Sequence, residues 1–357
     1  MIVRRDTPCL FPKGQSVEGM VSVTQMQQYM SCPHRWSLGY VEGLRPKVER
    51  EYLTIGKLCH AGFEATMRAK WGSDRDRVRR TVSELASVGE SEIRSRFNEY
   101  MGRVQFLDEE VPAQDALLHD AVDVFSQAIA EFDPNRWRVY TVYRGGVPEP
   151  ALEVHFLIPG CKLHGYVDAV LTDLRDGGTW CTDYKFRSQL SPDDDEQYNL
   201  QNAVYSVACD CMGIETAGTM TWQHLNVPAS DPKVNKDGSV SRSRIRTTWD
   251  RYARAVVESG GDVRDYLDMK EKISSVKWFQ ETKEIRSRHA VDKIWRGCVV
   301  PVTESIRKSR ESASTGARYL DPWNCKRCQF QSLCQAELRG YDVDDVIARE
   351  YTRRDRQ

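Results

Sequence analysis

The sequence predicts an α/β protein with a mixed central sheet and a helical shell. Three consecutive segments, at 151–158, 163–173 and 179–186, have the residue pattern of strands. A helical pattern at 197–213 separates them from a further strand at 218–227. Helical segments lie on both sides of this region, and this order of elements is typical of a mixed sheet covered by helices.

The amino-terminal segment 22–44 is predicted to form two short helices. They meet at Cys32 and Pro33, and Pro33 suits the first turn of the second helix. Thr24 and Gln27 have the spacing of a capping box and predict the start of the first helix.

The flanking regions are also predicted to be mainly helical. Residues 55–71 have good helical periodicity, and residues 76–131 are charge-rich and mostly helical. Downstream, 228–243 is a polar loop, and 247–310 is helical with a strand around 276–279.

The composition indicates a globular protein without a strong charge preference. The chain has 357 residues, 40% of them hydrophobic, and a formal net charge of −1. No global field therefore attracts it to nucleic acid, and any such binding must use local basic patches. The candidates RDRVRR (75–80), SRSRIR (241–246) and RRDR (353–356) are each also compatible with an ordinary solvated surface.

Compartment follows from the apolar and cysteine patterns. No run of eighteen apolar residues predicts a membrane span, and no apolar region follows the basic start as in a secretory signal. The eleven cysteines fit a reducing compartment, with some thiols serving a metal, better than a disulfide framework. We therefore expect a cytoplasmic protein that makes no membrane contact.

The strand pair 163–186 contains the strongest candidate for chemistry. Asp183 and Lys185 are two residues apart on one strand and project to the same face. Asp168 lies on the preceding strand and can reach the same end of the site. Two carboxylates suit Mg²⁺ or Mn²⁺, and a lysine can orient or activate a water for attack on phosphorus. An ordinary surface ion pair is the alternative interpretation.

Further residues occur at spacings that suit the same site. His60 and Glu64 share one face of a predicted helix, as do Gln201 and Tyr205 on the helix that follows the lysine strand. Glu153 lies on the strand before Asp168. Taken alone, these residues favour ordinary interpretations, namely a core histidine, ordinary helix positions and a solvent-facing strand residue.

Near the carboxyl end, NCKRCQFQSLC (324–334) places three cysteines in a C-x2-C-x5-C pattern, Cys325, Cys328 and Cys334. Thiolate sites for zinc or an iron–sulfur cluster normally have four ligands. The spacing by itself leaves both metals open and the fourth ligand unidentified.

Together, the motifs HAGFE (60–64), GYVD (165–168), DYK (183–185) and QNAVY (201–205) resemble the PD-(D/E)XK nuclease superfamily. They are most similar to RecB/AddB-type nucleases and to stand-alone CRISPR-adaptation nucleases. The resemblance implies that His60, Asp168 and Asp183 hold the metal and that Lys185 serves the attacking water. It also implies that Gln201 and Tyr205 support the site and the DNA strand, and Glu153 is a further candidate catalytic residue.

The same resemblance implies a structural [4Fe–4S] cluster. In the iron–sulfur branch one cysteine precedes the histidine motif and three follow the nuclease core, which assigns Cys32 as the partner of Cys325, Cys328 and Cys334. The four would connect the amino-terminal helices to the carboxy-terminal segment and stabilise the fold. Zinc remains the alternative metal.

The resemblance implies a single PD-(D/E)XK domain across 1–357 with restriction-endonuclease-like topology. Its predicted parts are the amino-terminal helices, a helical insertion, the catalytic sheet and helix, a loop with helices, and a carboxy-terminal iron–sulfur segment with a charged tail. Their predicted bounds are 22–71, 72–150, 151–227, 228–310 and 311–357.

The predicted function is a metal-dependent DNA nuclease, with an exonuclease acting on ends or single strands favoured. The setting implied is a prokaryotic or phage-infected cell. No G-x-x-x-x-G-K-[ST] motif is present, so any helicase or recombination partner would be a separate protein. The alternatives are a non-catalytic DNA-binding or assembly subunit and a zinc-stabilised regulatory module, which would leave the histidine and D-x-K motifs unexplained.

Overall fold

The computed structural model describes residues 19–47, 51–103, 111–243, 245–312 and 316–354. The α-helices of these residues, in chain order, are α1 Val23–Ser31, α2 Pro33–Trp36, α3 Glu51–Arg75, α4 Val82–Arg103, α5 Val111–Phe132, α6 Leu200–Met212, α7 Trp249–Glu258, α8 Leu267–Ser274, α9 Arg288–Ile294, α10 Val300–Glu311, α11 Pro322–Lys326, α12 Gln331–Arg339 and α13 Val343–Glu350. None of these helices is both long and apolar enough to cross a membrane.

The β-strands form one large sheet and two small ones. In chain order the strands are β1 Val21–Ser22, β2 Leu44–Pro46, β3 Trp137–Val139, β4 Thr141–Arg144, β5 Val147–Pro150, β6 Leu152–Ile158, β7 Leu163–Asp173, β8 Thr179–Arg187, β9 Gly218–Leu225, β10 Phe279–Glu284 and β11 Tyr351–Arg353.

The large sheet is mixed, as predicted. Its order is β1-β7-β8-β9-β10, and β3 and β6 also pair with β7. β8 and β9 are parallel, whereas β7–β8 and β9–β10 are antiparallel. A parallel pair needs a long crossover connection, and α6 supplies it between β8 and β9.

β7 and β8 separate part of the way along their length. They pair from Ala169 with Thr182 to Thr172 with Thr179. Beyond Thr182, β8 continues in register with β9 as far as Arg187. The separation opens the sheet beside Asp168, so side chains from both strands can meet there.

Helices cover both faces of the sheet. On one face, Phe63 of α3, Phe125 of α5 and Trp180 and Tyr184 of β8 belong to one buried cluster. On the other face, Cys181 of β8 packs in a second cluster with residues of α1, α6 and α10. Alternate residues of β8 therefore face opposite helical layers, as strand geometry requires.

The ends of α6 follow directly from its sequence. The Asn199 side chain accepts a hydrogen bond from the amide of Gln201 and caps the first turn. Gly213 ends the helix with φ of 71°, a left-handed conformation that costs glycine little. The predicted stop at this glycine is confirmed.

The two ends of the described chain pack against each other. β2 pairs with β11, and Leu38, Phe330 and Tyr351 share a buried cluster. The amide of His34 also donates to the carbonyl of Ala317 at 3.1 Å. Hydrophobic packing and hydrogen bonds therefore already hold the amino-terminal helices against the carboxy-terminal segment.

Three details differ from the sequence predictions. The N-cap of α1 is Ser22, whose hydroxyl accepts from the amide of Gln25 at 3.2 Å, so the predicted capping box at Thr24 and Gln27 is wrong. The region 72–150 is not wholly helical, because β3, β4 and β5 follow α5. The strand expected around 276–279 begins only at its last residue and runs on to Glu284.

Candidate active site and cysteine pocket

Asp183 and Lys185 lie on β8 just beyond the point where it separates from β7. Their side chains point to the α6 side of the sheet. Lys185 Nζ donates to Asp183 Oδ1 at 2.9 Å, and the other carboxylate oxygen is 2.7 Å away. Asp183 is only 2% exposed, so this is a buried carboxylate with a partly exposed ammonium group at its outer side.

Helix α6 completes this pair with an amide and a phenol. Gln201 Oε1 accepts from Lys185 Nζ at 3.0 Å, and Gln201 Nε2 donates to Asp183 Oδ1 at 3.2 Å. Gln201 Nε2 is also 2.5 Å from the hydroxyl of Tyr205, which is buried one turn later. Gln201 thus contacts both charged groups and fixes their positions relative to each other.

Asp168 reaches the same opening from β7. One of its carboxylate oxygens accepts the amide hydrogen of Tyr184 at 2.9 Å, a bond that falls where the backbone pairing of β7 and β8 has ended. The same oxygen is 3.6 Å from Nδ1 of His60 on α3. Asp168 therefore joins three elements, namely β7, β8 and α3.

His60 occupies a half-covered position above the sheet. Its ring packs edge-on against Tyr184 and Phe186, and 37% of the side chain remains exposed. Burial of the inner side of the ring lowers the pKa of His60, while the nearby Asp168 acts in the opposite direction. A neutral imidazole is the form that binds a metal ion.

Burial dominates the electrostatics of Asp183. It raises the pKa of this carboxyl to about 7, although Lys185 pulls the other way; the charges of Asp168 and Glu196 add to the rise. A carboxylate held this far from its ordinary pKa carries negative charge that its surroundings only partly compensate.

Glu153 and Glu64 lie farther out on the rim of the opening. Both carboxylates, with those of Asp168 and Asp183, act with burial to raise the pKa of Tyr166 to about 12. Glu153 has φ of 47°, and its carboxylate is 3.5 Å from His155. Glu64 pairs with Arg68 on the outer face of α3.

The donor atoms of the candidate site are of the right chemical type for a divalent cation, but they lie farther apart than in a compact metal site. His60, Asp168 and Asp183 offer one imidazole nitrogen and carboxylate oxygens, ligands that Mn²⁺ accepts and Mg²⁺ accepts in part. Their donor atoms are not all within 4.8 Å of one another; among the described residues, only those of His34, Cys334 and Glu337 are. Lys185 meanwhile contacts both carboxylate oxygens of Asp183 from its outer side.

Two supporting groups escape sequence reasoning. Glu196, in the acidic run 193–196, is 2% exposed and accepts from Asn202 and Thr221, which anchors the start of α6 beneath Asp183. The acidic residues that precede Glu196 are typical of an exposed segment, so the sequence gives no sign that Glu196 is buried. The amide of Tyr184 is a backbone group and carries no signal in residue type at all.

The four cysteines of the second predicted site line one pocket of about 190 Å³. Cys32 lies at the junction of α1 and α2, whereas Cys325 and Cys334 lie in α11 and α12 and Cys328 lies between them. The sulfur of Cys328 accepts from the amide of Phe330 at 3.4 Å. Distant parts of the sequence thus bring four thiols to one cavity.

A second donor group overlaps this pocket. His34, Cys334 and Glu337 have ligand atoms within 4.8 Å of one another. The guanidinium of Arg318, however, donates to Glu337 at 2.7 Å, and His34 Nε2 is 2.8 Å from the same oxygen. A cation already neutralises this carboxylate, which disfavours a divalent ion on these three residues.

Comparison with known protein families shows where this chain belongs. A family model described as the PD-(D/E)XK nuclease superfamily matches residues 20–335, which includes β1, the whole large sheet, α6 and the cysteine segment as far as Cys334. No curated protein matches the chain at a significant level.

Proposed function

The chain belongs to the PD-(D/E)XK nuclease superfamily, and from this premise we propose that it is a metal-dependent deoxyribonuclease that hydrolyses phosphodiester bonds with Mg²⁺ or Mn²⁺. Proteins of this family are nucleases that usually use these ions. The observation that carries the proposal is the hydrogen-bonded group of Asp183, Lys185 and Gln201 beside Asp168.

The proposed residue roles follow from these contacts. Asp168 and Asp183 would hold the metal, with His60 as a further ligand at the outer side. A divalent ion bound there would polarise a phosphoryl oxygen and stabilise its developing negative charge. Asp183 must exchange one contact with Lys185 for this role, and Gln201 can keep the lysine in place because it accepts from the same ammonium group.

Lys185 is the proposed positioning group for the attacking water. Its ammonium group is 25% exposed, so one side faces the opening while the other contacts Asp183 and Gln201. A fixed positive charge at that point favours the hydroxide-like character that the attacking oxygen develops. Gln201 and Tyr205 would keep this charge in position without contacting the reacting atoms.

Action on ends or single strands is the finer part of the proposal. It is supported by the likeness to RecB/AddB-type nucleases and by Tyr166, which lies two residues before Asp168 and is 48% exposed. An exposed aromatic ring beside the site can stack on an unpaired base, whereas a base in a duplex is already stacked. Partial burial and the nearby carboxylates raise the pKa of Tyr166 to about 12, so the phenol stays neutral well above neutral pH.

For the cysteine pocket we propose a structural [4Fe–4S] cluster held by Cys32, Cys325, Cys328 and Cys334. The spacing of the sulfurs supports the cluster over zinc. Tetrahedral zinc with Zn–S bonds near 2.3 Å needs sulfurs about 3.8 Å apart, and no three of these four sulfurs are mutually within 4.8 Å. The amide of Phe330 also donates to one of the sulfurs, a contact that suits a metal-bound thiolate of either kind.

The test of the nuclease proposal uses end-labelled DNA. Anaerobically purified protein is incubated with linear single strands, linear duplexes and closed circular single strands, each with Mg²⁺, Mn²⁺ or EDTA. We expect metal-dependent loss of the linear substrates and survival of the circles. Cleavage of the circles at the same rate would contradict the exonuclease mode, and no cleavage of any substrate would favour the non-catalytic DNA-binding or assembly subunit.

We also propose that the protein works beside a separate helicase or recombination protein, because its own sequence has no P-loop motif. In that arrangement the partner would supply unwound DNA. The Tyr166 side of the sheet opening would receive it.

A further inference from the structure

A basic pocket of about 350 Å³ lies where α3 ends, and its lining includes neither Asp168 nor Asp183. Four cationic side chains line it, those of Lys70, Arg77, Arg79 and Arg80, against a single carboxylate, that of Asp74. The cavity therefore has a strong excess of positive charge. It includes most of the basic run RDRVRR at 75–80.

The backbone holds these cations in a defined loop. The amide of Val78 donates to the carbonyl of Ser73 at 2.8 Å, and Asn135 donates to the carbonyl of Arg80 at 3.3 Å. Arg77 has φ of 55°, a conformation that a side chain other than glycine adopts at a cost. The segment is thus folded around the cavity at both ends, unlike a simple run of solvated charges.

The charges in the pocket are unevenly satisfied. Lys70 is 7% exposed and forms an ion pair with Asp74. Arg77 and Arg79 are exposed, and neither forms an ion pair with any residue in the described ranges. Two guanidinium groups are therefore available to an external anion, and guanidinium binds phosphate oxygens in a bidentate manner.

Helix α3 relates this pocket to the candidate active site. His60 and Asp74 lie on the same helix, 14 residues apart by number (74 − 60), which is close to four full turns and so keeps both near one face. At 1.5 Å per residue the separation is about 21 Å. A strand with the 3.4 Å rise of B-form DNA covers that distance in about six nucleotides, and an unstacked single strand covers it in fewer.

We propose that this basic pocket binds a backbone phosphate of the DNA strand that enters the active site, at most about six nucleotides from the bond that is cut. The inference rests on the proposed nuclease function for its choice of ligand. Lys70 supplies a buried charge at the base of the pocket, and Arg77 and Arg79 close on the phosphate from the solvent side.

The test compares oligonucleotide length with charge removal. Arg77→Gln/Arg79→Gln is paired with Arg307→Gln/Arg339→Gln, which removes the same charge from exposed positions outside the pocket. Binding of labelled single-stranded DNA of three and of twenty nucleotides is measured by fluorescence anisotropy at low salt in EDTA, where no cleavage is expected. Thermal melting checks that both doubles fold like the native protein.

We expect the pocket double to weaken binding of the twenty-nucleotide strand by about tenfold. The slope of log affinity against log salt should fall by about one. The three-nucleotide strand is too short to reach both sites even when extended, so its affinity should not change. The control double should leave both affinities near the native values.

Asp74→Asn provides a change in the opposite direction. Removing the only carboxylate of the lining should tighten binding of the twenty-nucleotide strand by about threefold, since an anion no longer competes for Lys70. A pocket with a purely structural role would give no gain. Equal weakening of short and long strands, or equal effects of the two doubles, would overturn the proposal.

Two additional measurements identify the anion. Inorganic phosphate is titrated into the protein by calorimetry. If phosphate binds while Arg77→Gln/Arg79→Gln leaves the affinity for the twenty-nucleotide strand unchanged, the pocket is a small-anion site and the proposal is overturned. A twenty-nucleotide RNA that depends on the pocket while DNA does not would also overturn it. Binding is measured in EDTA and does not depend on cleavage. A failure to cleave DNA with Mg²⁺ or Mn²⁺ would therefore contradict the nuclease proposal and leave the test of the pocket intact.

Discussion

At the scale of single residues, Lys185 has the position that a water-positioning group requires. It is the cation between a buried carboxylate and the opening of the sheet, and Gln201 fixes it by a second hydrogen bond. Sequence spacing predicted that Asp183 and Lys185 share a face, because strand side chains alternate. It could not predict that Tyr184 would donate its backbone amide to Asp168.

The first prediction concerns the charge of Lys185. Lys185→Met keeps the length of the side chain and removes the ammonium group, so turnover should fall by about 100-fold or more. Affinity for DNA in EDTA should stay the same, because the lysine acts on the transition state. Single-turnover cleavage and anisotropy measure the two effects separately. Lys272→Met, an exposed lysine on α8, is the matched control, and a native cleavage rate in Lys185→Met would remove this residue from the active site.

A second prediction concerns proton release on metal binding. Since burial raises the pKa of Asp183 to about 7, this carboxyl is largely protonated at pH 6 in the metal-free protein and must lose its proton to bind an ion. Mn²⁺ affinity should therefore rise as the pH increases through about 7. Calorimetry at pH 6 in buffers of different ionisation enthalpy should detect the released proton, and at pH 8.5 the release should disappear.

The same carboxyl has an opposite effect on folding. Its folded pKa lies above the ordinary value of 3.8, so the metal-free folded protein binds more protons than the unfolded chain between about pH 4 and 7. Stability without metal should decline as the pH rises through this window. Asp183→Asn should abolish both the proton release and this decline; if it changes neither, another group titrates.

At the scale of elements, the far end of the large sheet is held by a buried ion network. Arg136 pairs with Asp173 at the end of β7 and with Glu281 on β10, and Lys283 also donates to Asp173. Asp173 is 1% exposed. Burial opposes its ionisation, but the hydrogen bonds from Arg136 and its neighbours outweigh this and hold the pKa of Asp173 well below its ordinary value.

The third prediction tests this network. Arg136→Met leaves a buried carboxylate with one cation fewer, and it should lower the free energy of unfolding by about 3 kcal/mol. The loss should shrink at acid pH, because the stabilisation from Asp173 exists above about 3.8 and disappears as the carboxyl is protonated. Urea unfolding at pH 7 and at pH 3 measures it. Arg264→Met breaks a fully exposed pair with Asp262 and should have no measurable effect.

Several elements were predictable because their sequences carry strong periodic signals. β6, β7, β8, α6 and β9 agree with their predicted ranges to within a few residues. β3, β4 and β5 were not predicted, because strands of three or four residues are too short to show a clear alternating pattern in the sequence. The capping error at α1 arose because Ser22 and Thr24 both suit an N-cap, and only the chain path decides between them.

At the scale of the whole molecule, the two ends of the described chain meet around the cysteine pocket. β2 and β11, the Phe330 cluster and the four thiols all connect the first helices to the last ones. A cluster bound only by the folded state adds its binding free energy to folding, up to roughly 10 kcal/mol for tight structural sites. The sequence suggested this connection only through a resemblance, because Cys32 is far from the other three cysteines in the chain.

The fourth prediction follows from that connection. Protein purified without oxygen should be brown, and Cys32→Ala should lose iron, sulfide and visible absorbance as completely as Cys328→Ala. Both should melt at lower temperature than the native protein. Cys298→Ala, which lies outside the pocket, is the control and should keep its iron. Full iron content in Cys32→Ala would exclude Cys32 as a ligand. One bound zinc ion per native protein, with no iron, would contradict the proposed cluster and identify a zinc site.

The hydrogen bond from the Tyr184 amide to Asp168 has a practical consequence of its own. The amide nitrogen of Tyr184 lies 2.9 Å from an oxygen of Asp168, which is a proposed ligand atom. This amide group can be observed by NMR after ¹⁵N labelling. The Tyr184 amide is therefore a built-in reporter of metal loading. In a ¹⁵N-labelled sample its resonance should shift when diamagnetic Mg²⁺ is added, and its exchange with deuterium should change as the carboxylate shares its charge with the ion. If the Tyr184 amide resonance does not shift at saturating Mg²⁺, Asp168 does not bind the ion.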